Sequence, residues 1–192
     1  MTLKRQVNII ITGTPGTGKS SHAQLLIEQD SGLKLVDVNE LAKANNLYAG
    51  FDKERNSQIV DDEKLLDFLE DDLEKGNNII DWHCCDVFPE RLIDLVIVLR
   101  SDNTILYDRL KARDYEGKKI EENIDAEIME VILNDARESF DEEIIVPLES
   151  NKIEEVQSNV DRILDWIKQW RERNPEGIQN VTLDSSSDSD SD

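Results

Sequence analysis

The sequence predicts an α/β fold in which a five-stranded parallel sheet is flanked by helices. Three observations carry that reading. Short apolar runs alternate with segments of helical periodicity, so successive strands need long crossovers, run parallel and connect right-handedly. The first apolar run leads directly into the turn Gly13-Thr14-Pro15-Gly16-Thr17-Gly18-Lys19-Ser20 and then into a helix. The chain has 192 residues, 38% of them hydrophobic, which is enough to bury one ordinary core.

The elements follow in order. Val7 to Thr12, with its three isoleucines, reads as a strand covered on both faces. A helix from about Ser20 to Gln29 is closed by Asp30, Ser31 and Gly32. Leu33 to Asp37 is a short second strand, Asn39 to Ala44 a short helix, and a polar loop runs on through Asn56. Asp61 or Asp62 caps the next helix, in which Leu65, Leu66, Leu69 and Leu73 share a face and which Lys75 and Gly76 end. Asn78 to Trp82 is the third strand and Asp94 to Arg100 the fourth. A helix starting at Asp102 or Thr104 reaches Arg113, and a charged loop covers Asp114 to Lys119. A long acidic helix is expected from about Ile120 to Phe140, turning Ile124, Ile128, Val131 and Ile132 inward. Ile145 to Glu149 is a fifth strand weakened by Pro147. Val156, Val160, Ile163 and Ile167 mark the stripe of a last helix that stops before Pro175. Residues 1–173 therefore form one domain. Residues 174–192 end in alternating Ser and Asp and bury too little apolar surface to fold, so they are expected to be a disordered acidic tail. Its Ser-acid pairs are candidate phosphorylation sites, or simply a solvated tail.

The formal net charge is −21. Phosphate neutralisation by Lys and Arg supplies most non-specific nucleic-acid affinity, so strong stand-alone nucleic-acid binding is not expected, whereas a basic protein partner fits. No apolar run approaches the roughly 20 residues that span a bilayer. The run Val7 to Ile11 behind Lys4 and Arg5 is shorter than the roughly 7–15 residues of a signal-peptide core. The chain is thus expected inside the cell without membrane attachment, where two cysteines argue against a disulfide framework.

The turn after the first strand matches G-x-x-x-x-G-K-S/T throughout, between a strand and a helix as the motif requires. Gly13, Gly16, Thr17 and Gly18 let backbone N–H groups close around phosphates, Lys19 reaches the β- and γ-phosphates, and the Ser20 hydroxyl suits Mg²⁺. Ser21 adds a hydroxyl near the α-phosphate. This pattern specifies a nucleoside triphosphate. A switch GTPase would carry N-K-x-D, which the sequence lacks. The intervening regions, residues 38–60 and 112–122, suit a small nucleotide kinase, one clamping the acceptor and one closing over the donor.

The third strand ends in Asp81-Trp82-His83-Cys84-Cys85-Asp86. An acid at the carboxyl end of a neighbouring strand is placed to hold the Mg²⁺ shell, which makes Asp81 the candidate. His83, two residues on, projects to the same side of an extended chain and is a candidate to orient or deprotonate a water. The alternative is a surface histidine beyond a strand end. Adjacent cysteines point apart and lack C-x-x-C spacing, so Cys84 and Cys85 read as packing rather than as zinc or redox groups.

Several runs together resemble one family. They are Gly13 to Ser21, Asp81-x-His83-x-Cys85-Asp86-x-Phe88-Pro89-Glu90-Arg91, Val98-Leu99-Arg100-x-Asp102, Leu106-Tyr107-x-Arg109-Leu110-x-x-Arg113-x-Tyr115, and Ser150-Asn151-Lys152. They resemble the adenylate kinase isoenzyme 6 family, the coilin-interacting nuclear ATPase group, over about Val7 to Trp170. The resemblance implies an adenylate kinase-like fold, ATP + AMP ⇌ 2 ADP, and ATP hydrolysis, with residues 37–60 as the region that binds the nucleoside monophosphate and 112–122 as a short lid. It also implies that Arg113 contacts ATP from the lid, that Lys152 lies at the adenine end, and that Asp81 and His83 serve turnover. It implies nuclear and cytoplasmic residence. It implies a role in small-subunit maturation, including 3′-end cleavage of the rRNA precursor, through a basic ribosomal protein of the small-subunit platform and the pre-ribosomal particle. Independently, Arg109 and Arg113 lie four apart on one helix face, and guanidinium forks suit phosphoryl transfer. Lys43 stands where some relatives have arginine, which replaces a bidentate fork by a point charge for the AMP phosphate. Three readings follow: a nucleotide kinase, an ATP-hydrolysing assembly factor that repositions a ribosomal protein, and a purely structural nucleotide-binding scaffold.

Overall fold

The structure is a computed structural model and describes residues 4–180. The chain begins with β1 (Lys4–Arg5), β2 (Asn8–Gly13), α1 (Lys19–Gln29), β3 (Lys34–Asp37) and α2 (Val38–Asn45). A hairpin of β4 (Tyr48–Asp52) and β5 (Ser57–Val60) leads to α3 (Asp62–Lys75) and β6 (Asn78–Asp81). Then come β7 (Leu95–Arg100), α4 (Asn103–Ala112), α5 (Gly117–Ile128), α6 (Val131–Ser139), β8 (Ile145–Glu149), α7 (Ile153–Arg173) and β9 (Ile178–Gln179).

Five of these strands form the expected parallel sheet, in the order β3-β6-β2-β7-β8. The two-residue period of a strand divides the buried side chains between two layers. Ile10, Ile80, Val96 and Val98 enter the layer that holds Leu65 and Leu69 of α3 and Leu133 and Ala136 of α6. Ile9, Ile11, Ile79, Ile97 and Leu99 enter the layer that holds Leu26 of α1 and Val160, Ile163 and Ile167 of α7. Each fully buried branched side chain contributes about 1.5–3 kcal/mol relative to exposure, so the central strands are fixed from both faces. Pro147 is tolerated because β8 is an edge strand that pairs only with β7.

α3 ends as expected at Gly76, whose φ of 83° lies in the left-handed region. A Cβ there would stand 2.1 Å from the Gln6 carbonyl oxygen. Gly76→Ala is therefore expected to destabilise the chain by at least about 1–3 kcal/mol, a shift that urea denaturation of both proteins measures directly.

Three expectations are corrected. The polar loop before Asn56 contains a hairpin, with Tyr48 opposite Val60 and Asp52 opposite Ser57. The Asp52 carboxylate accepts from the backbone N–H groups of Glu54 and Arg55 at 2.9 and 3.1 Å and so closes its turn. The single helix expected over Ile120 to Phe140 is two helices, broken at Glu130, whose φ of 55° is left-handed. At the break, Arg100 Nη1 pairs with Glu130 Oε1 at 3.0 Å. As a result Ile128 and Val131, expected inside, are exposed, while Ile120 and Ile124 pack on Leu106 and Leu110. Finally, ordered structure extends past residue 173: Ile178 pairs with Arg5 and Gln179 with Lys4 across an antiparallel two-stranded sheet. The remainder of the expected tail, residues 181–192, lies outside the described residues. Among the described residues no helix is long and apolar enough to cross a membrane.

Candidate active site

Parallel strands bring their carboxyl ends to one edge of the sheet, and there β2 delivers the phosphate loop while β6, its hydrogen-bonded neighbour, delivers Asp81. The loop turns into α1 at Gly18, which adopts φ 98° as the helix N-cap. Thr17 tightens the turn: its N–H and its hydroxyl both donate to the Thr14 carbonyl, at 3.2 and 2.7 Å. Lys19 Nζ donates to the Gly13 and Thr14 carbonyls at 3.0 and 3.4 Å, curled over the loop it serves. Ser20, one residue further on the helix, donates from Oγ to Asp81 Oδ2 at 2.7 Å. A hydroxyl, a carboxylate and an ammonium thus converge at the mouth of the loop. Ser21 is exposed on the next position of α1.

The electrostatics follow from burial. Lys19 is lowered to about 8, chiefly by desolvation, with Asp81 opposing the fall and the Arg113 charge adding to it. Burial raises Asp81 above the usual carboxylate range, opposed by the Ser20 hydrogen bond and by Lys19. His83 falls to about 4, through burial first and then the Lys19 charge. It is therefore a neutral imidazole at pH 7, close enough to Lys19 to feel it, with its ring edge-on to Trp82 at 5.5 Å between centroids. The cysteines beside it pack. Cys85 is buried in the core, Cys84 lies against it, and burial pushes both thiols up to about 12, so they are not nucleophilic thiolates.

Other expected residues divide into two groups. Arg113 is exposed at the end of α4, within electrostatic reach of Lys19 and Arg109. Lys152 is exposed at the start of α7, where its N–H and that of Asn151 donate to Glu155 Oε2 at 3.1 and 2.6 Å. Arg109 is committed to backbone. Its Nη1 donates to Gly16 O at 3.3 Å and Ser150 O at 2.7 Å, and its Nη2 to Asn151 O at 3.0 Å. This guanidinium straps the phosphate loop to the Ser150-Asn151-Lys152 loop, and Nη1 also donates to Ser101 Oγ at 3.2 Å. The expected lid comprises the end of α4, a loop with Asp114 at φ 59°, and the first turns of α5, where Lys119 lies over the Tyr115 ring at 4.4 Å. The expected acceptor region comprises α2, with Lys43 exposed, and the β4-β5 hairpin, whose Arg55 lies 3.9 Å from Glu122 of α5.

Sequence reasoning missed three residues that support this site. His22 is fully buried on α1. Its Nδ1 lies 2.8 Å from the Gly18 carbonyl, which can only accept, so Nδ1 carries the proton and Nε2 accepts from Asn159 Nδ2 at 3.2 Å. Burial lowers the His22 pKa and keeps that tautomer neutral. Glu127, 3% exposed, accepts from Thr14 Oγ1 at 2.6 Å, Arg100 Nε at 2.6 Å and Ser101 N at 3.2 Å. The available signals were a polar residue within an apolar stripe: Asn159 beside Val156, Val160 and Ile163, and Glu127 in step with Ile120 and Ile124.

A family model described as an AAA domain matches residues 9–130. "Adenylate kinase isoenzyme 6 homolog FAP7" of Saccharomyces cerevisiae is 51% identical over 185 residues, covering 96% of this chain and 94% of the relative. The chain belongs to the adenylate kinase isoenzyme 6 family. "Adenylate kinase isoenzyme 6 homolog HBR1" of Candida albicans is 49% identical and covers 90% of this chain and 73% of its own. The shikimate kinase of Bacteroides thetaiotaomicron shares the fold, with a TM-score of 0.54 at 16% identity, covering 84% of this chain and 98% of that one. The family and the P-loop fold make this chain a nucleotide kinase-like enzyme.

Proposed function

We propose that the chain catalyses ATP + AMP ⇌ 2 ADP and hydrolyses ATP at the same site, and that it acts in the nucleus and cytoplasm during small ribosomal subunit maturation. The observation that carries the catalytic part is the convergence of Lys19, Ser20 and Asp81 at the mouth of the phosphate loop, with neutral His83 beside it. Lys19 holds the transferred phosphoryl group, and Arg113 adds positive charge from the lid. The donor set fits Mg²⁺: the Ser20 hydroxyl and an Asp81 oxygen are both hard oxygen donors, 2.7 Å apart. Among the described residues no group of three or more His, Cys, Asp or Glu could hold a metal ion. The Ser20 hydroxyl and Asp81 would hold the ion, which would supply positive charge against the phosphates. The ribosomal part rests on the family resemblance and on the −21 charge, which favours a basic platform ribosomal protein as partner.

A second reading, an ATPase that repositions a ribosomal protein with incidental kinase activity, is favoured by one observation. The acceptor region carries Lys43 where a fork-shaped arginine would grip a phosphate in two places. One experiment separates the two. AMP-dependent ADP formation and AMP-independent phosphate release are measured side by side, with and without a basic small-subunit ribosomal protein. A kinase forms ADP in proportion to AMP. Absence of AMP-dependent ADP formation, with phosphate release intact, rejects the kinase and leaves the ATPase.

A further inference from the structure

Three side chains brace the phosphate loop from outside: Arg109 at the Gly16 carbonyl, His22 at the Gly18 carbonyl, and Glu127 at the Thr14 hydroxyl. Only Glu127 stands on α5, whose first turns are the expected lid. We propose that Glu127 is a positioning residue for the nucleotide's phosphates, which locks the phosphate loop to the lid helix so that the two respond to nucleotide as one unit. This rests on the reading of the loop as an ATP site.

Burying a carboxylate requires compensating donors, and Glu127 has three. Two come from the end of β7: Arg100 Nε and the Ser101 N–H both bind Oε1. A third β7 contact, Arg100 Nη2 to the Glu127 carbonyl at 2.9 Å, fixes the backbone as well as the side chain. The sheet therefore anchors Oε1, and Oε2 is left facing Thr14. An ionised acceptor makes that 2.6 Å hydroxyl bond a strong one. Thr14 passes the constraint on, because its carbonyl receives Thr17 N, Thr17 Oγ1 and Lys19 Nζ. A continuous chain of bonds thus runs from Arg100 through Glu127 and Thr14 to the lysine that meets the phosphates. The Glu127 charge also favours the protonated form of Lys19. Midway along α5, Glu122 lies 3.9 Å from the hairpin residue Arg55. A shift of α5 must carry Thr14 with it or break the Glu127 bond.

The test uses the full chain, with ATP affinity measured by calorimetry for wild type, T14V, T14S, E127Q and the double variant T14V/E127Q. T14V and E127Q are each expected to weaken ATP about tenfold. T14S, which keeps the hydroxyl, stays within about twofold of wild type, and the double variant is no weaker than the weaker single variant, because Glu127 acts on the loop through the hydroxyl that T14V removes. Amide hydrogen exchange over residues 117–128 supplies the lid readout: ATP slows it in wild type, and the slowing is lost in T14V at saturating ATP. Thermal melts without ligand run alongside, and should E127Q fail to fold, the T14V and T14S pair carries the test. The proposal is overturned if the single effects multiply in the double variant, if T14S is as weak as T14V, if T14V binds like wild type, or if ATP slows exchange equally in T14V. A wild-type chain that binds no ATP defeats instead the reading on which the proposal rests.

Discussion

Lys19→Ala is expected to lower turnover of ATP by about 10²–10³-fold, the usual loss when one preorganised donor to the reacting group is removed. The structure makes this more specific than the motif alone does. Lys19 is held at about 8 by burial and by Arg113, so an appreciable part of it loses its proton just above physiological pH. Phosphates bind the ammonium form. Affinity for ATP is therefore highest below pH 8 and falls as pH rises through it. Between pH 7 and pH 9 the protonated fraction of a group with that pKa drops about tenfold, and the dissociation constant rises by about the same factor. In Lys19→Ala this pH dependence is expected to vanish, which calorimetry at the two pH values measures. Equal slopes in the two proteins would assign the titration to another group. The loss of turnover is not a loss of fold. The folded chain binds fewer protons than the unfolded one between pH 8 and 10.5, so the buried ammonium opposes folding below that window and its removal does not lower stability at pH 7. A thermal melt of Lys19→Ala at least as high as that of wild type checks this.

How much of this could be read beforehand depended on where the information lay. The central strands were legible because they are covered on both faces, so Ile9, Ile10 and Ile11 appear as an unbroken apolar run. The phosphate loop was legible because its chemistry restricts residue types at fixed local spacing. The hairpin was not, since apolar residues in both its strands face solvent: Phe51 is 49% and Ile59 47% exposed, while only Tyr48 and Val60 at its base pack on the core. The helix break at Glu130 was hidden for a different reason. Glu130 pairs with Arg100, thirty positions away, and no Gly or Pro between residues 120 and 140 marks the break locally. The pairing of Ile178 with Arg5 is more distant still. The same division applies at the site. Lys19, Ser20 and Asp81 belong to motifs, whereas Glu127, His22 and Asn159 act on backbone and hydroxyl groups that have no characteristic spacing. Arg109 shows the converse: its position on the helix was legible, but its engagement with the Gly16, Ser150 and Asn151 carbonyls depends on a loop from the far end of the chain.

His83→Ala is expected to lower ATP hydrolysis by about 10²–10⁴-fold while changing ATP affinity by less than about threefold. The residue lies just beyond the strand that ends in Asp81, beside Lys19, and Trp82 backs its ring. Burial and the Lys19 charge lower it to about 4, so it presents an uncharged imidazole throughout the physiological range. Such a group accepts a hydrogen bond from a water and orients it, and it adds no charge that would bind phosphate in the ground state. This is why the effect falls on turnover. The pH profile distinguishes this role from that of an ordinary exposed histidine. Because His83 gains its proton only as pH falls through about 4, hydrolysis shows no His83-dependent inflection near 6.5. An inflection near 6.5 that disappears in His83→Ala would defeat this account, as would equal losses of hydrolysis and affinity. Stability supplies an independent check with a definite sign. The unfolded chain protonates this histidine near 6.5 and the folded chain near 4, so stability falls as pH drops through that window. In His83→Ala that contribution is absent, and the acid loss of stability between pH 6.5 and 4 is correspondingly shallower in urea titrations. Retention of the full wild-type slope would mean that His83 is solvated in the folded chain, and a solvated imidazole beyond the strand end would have no fixed position from which to direct water at the phosphate.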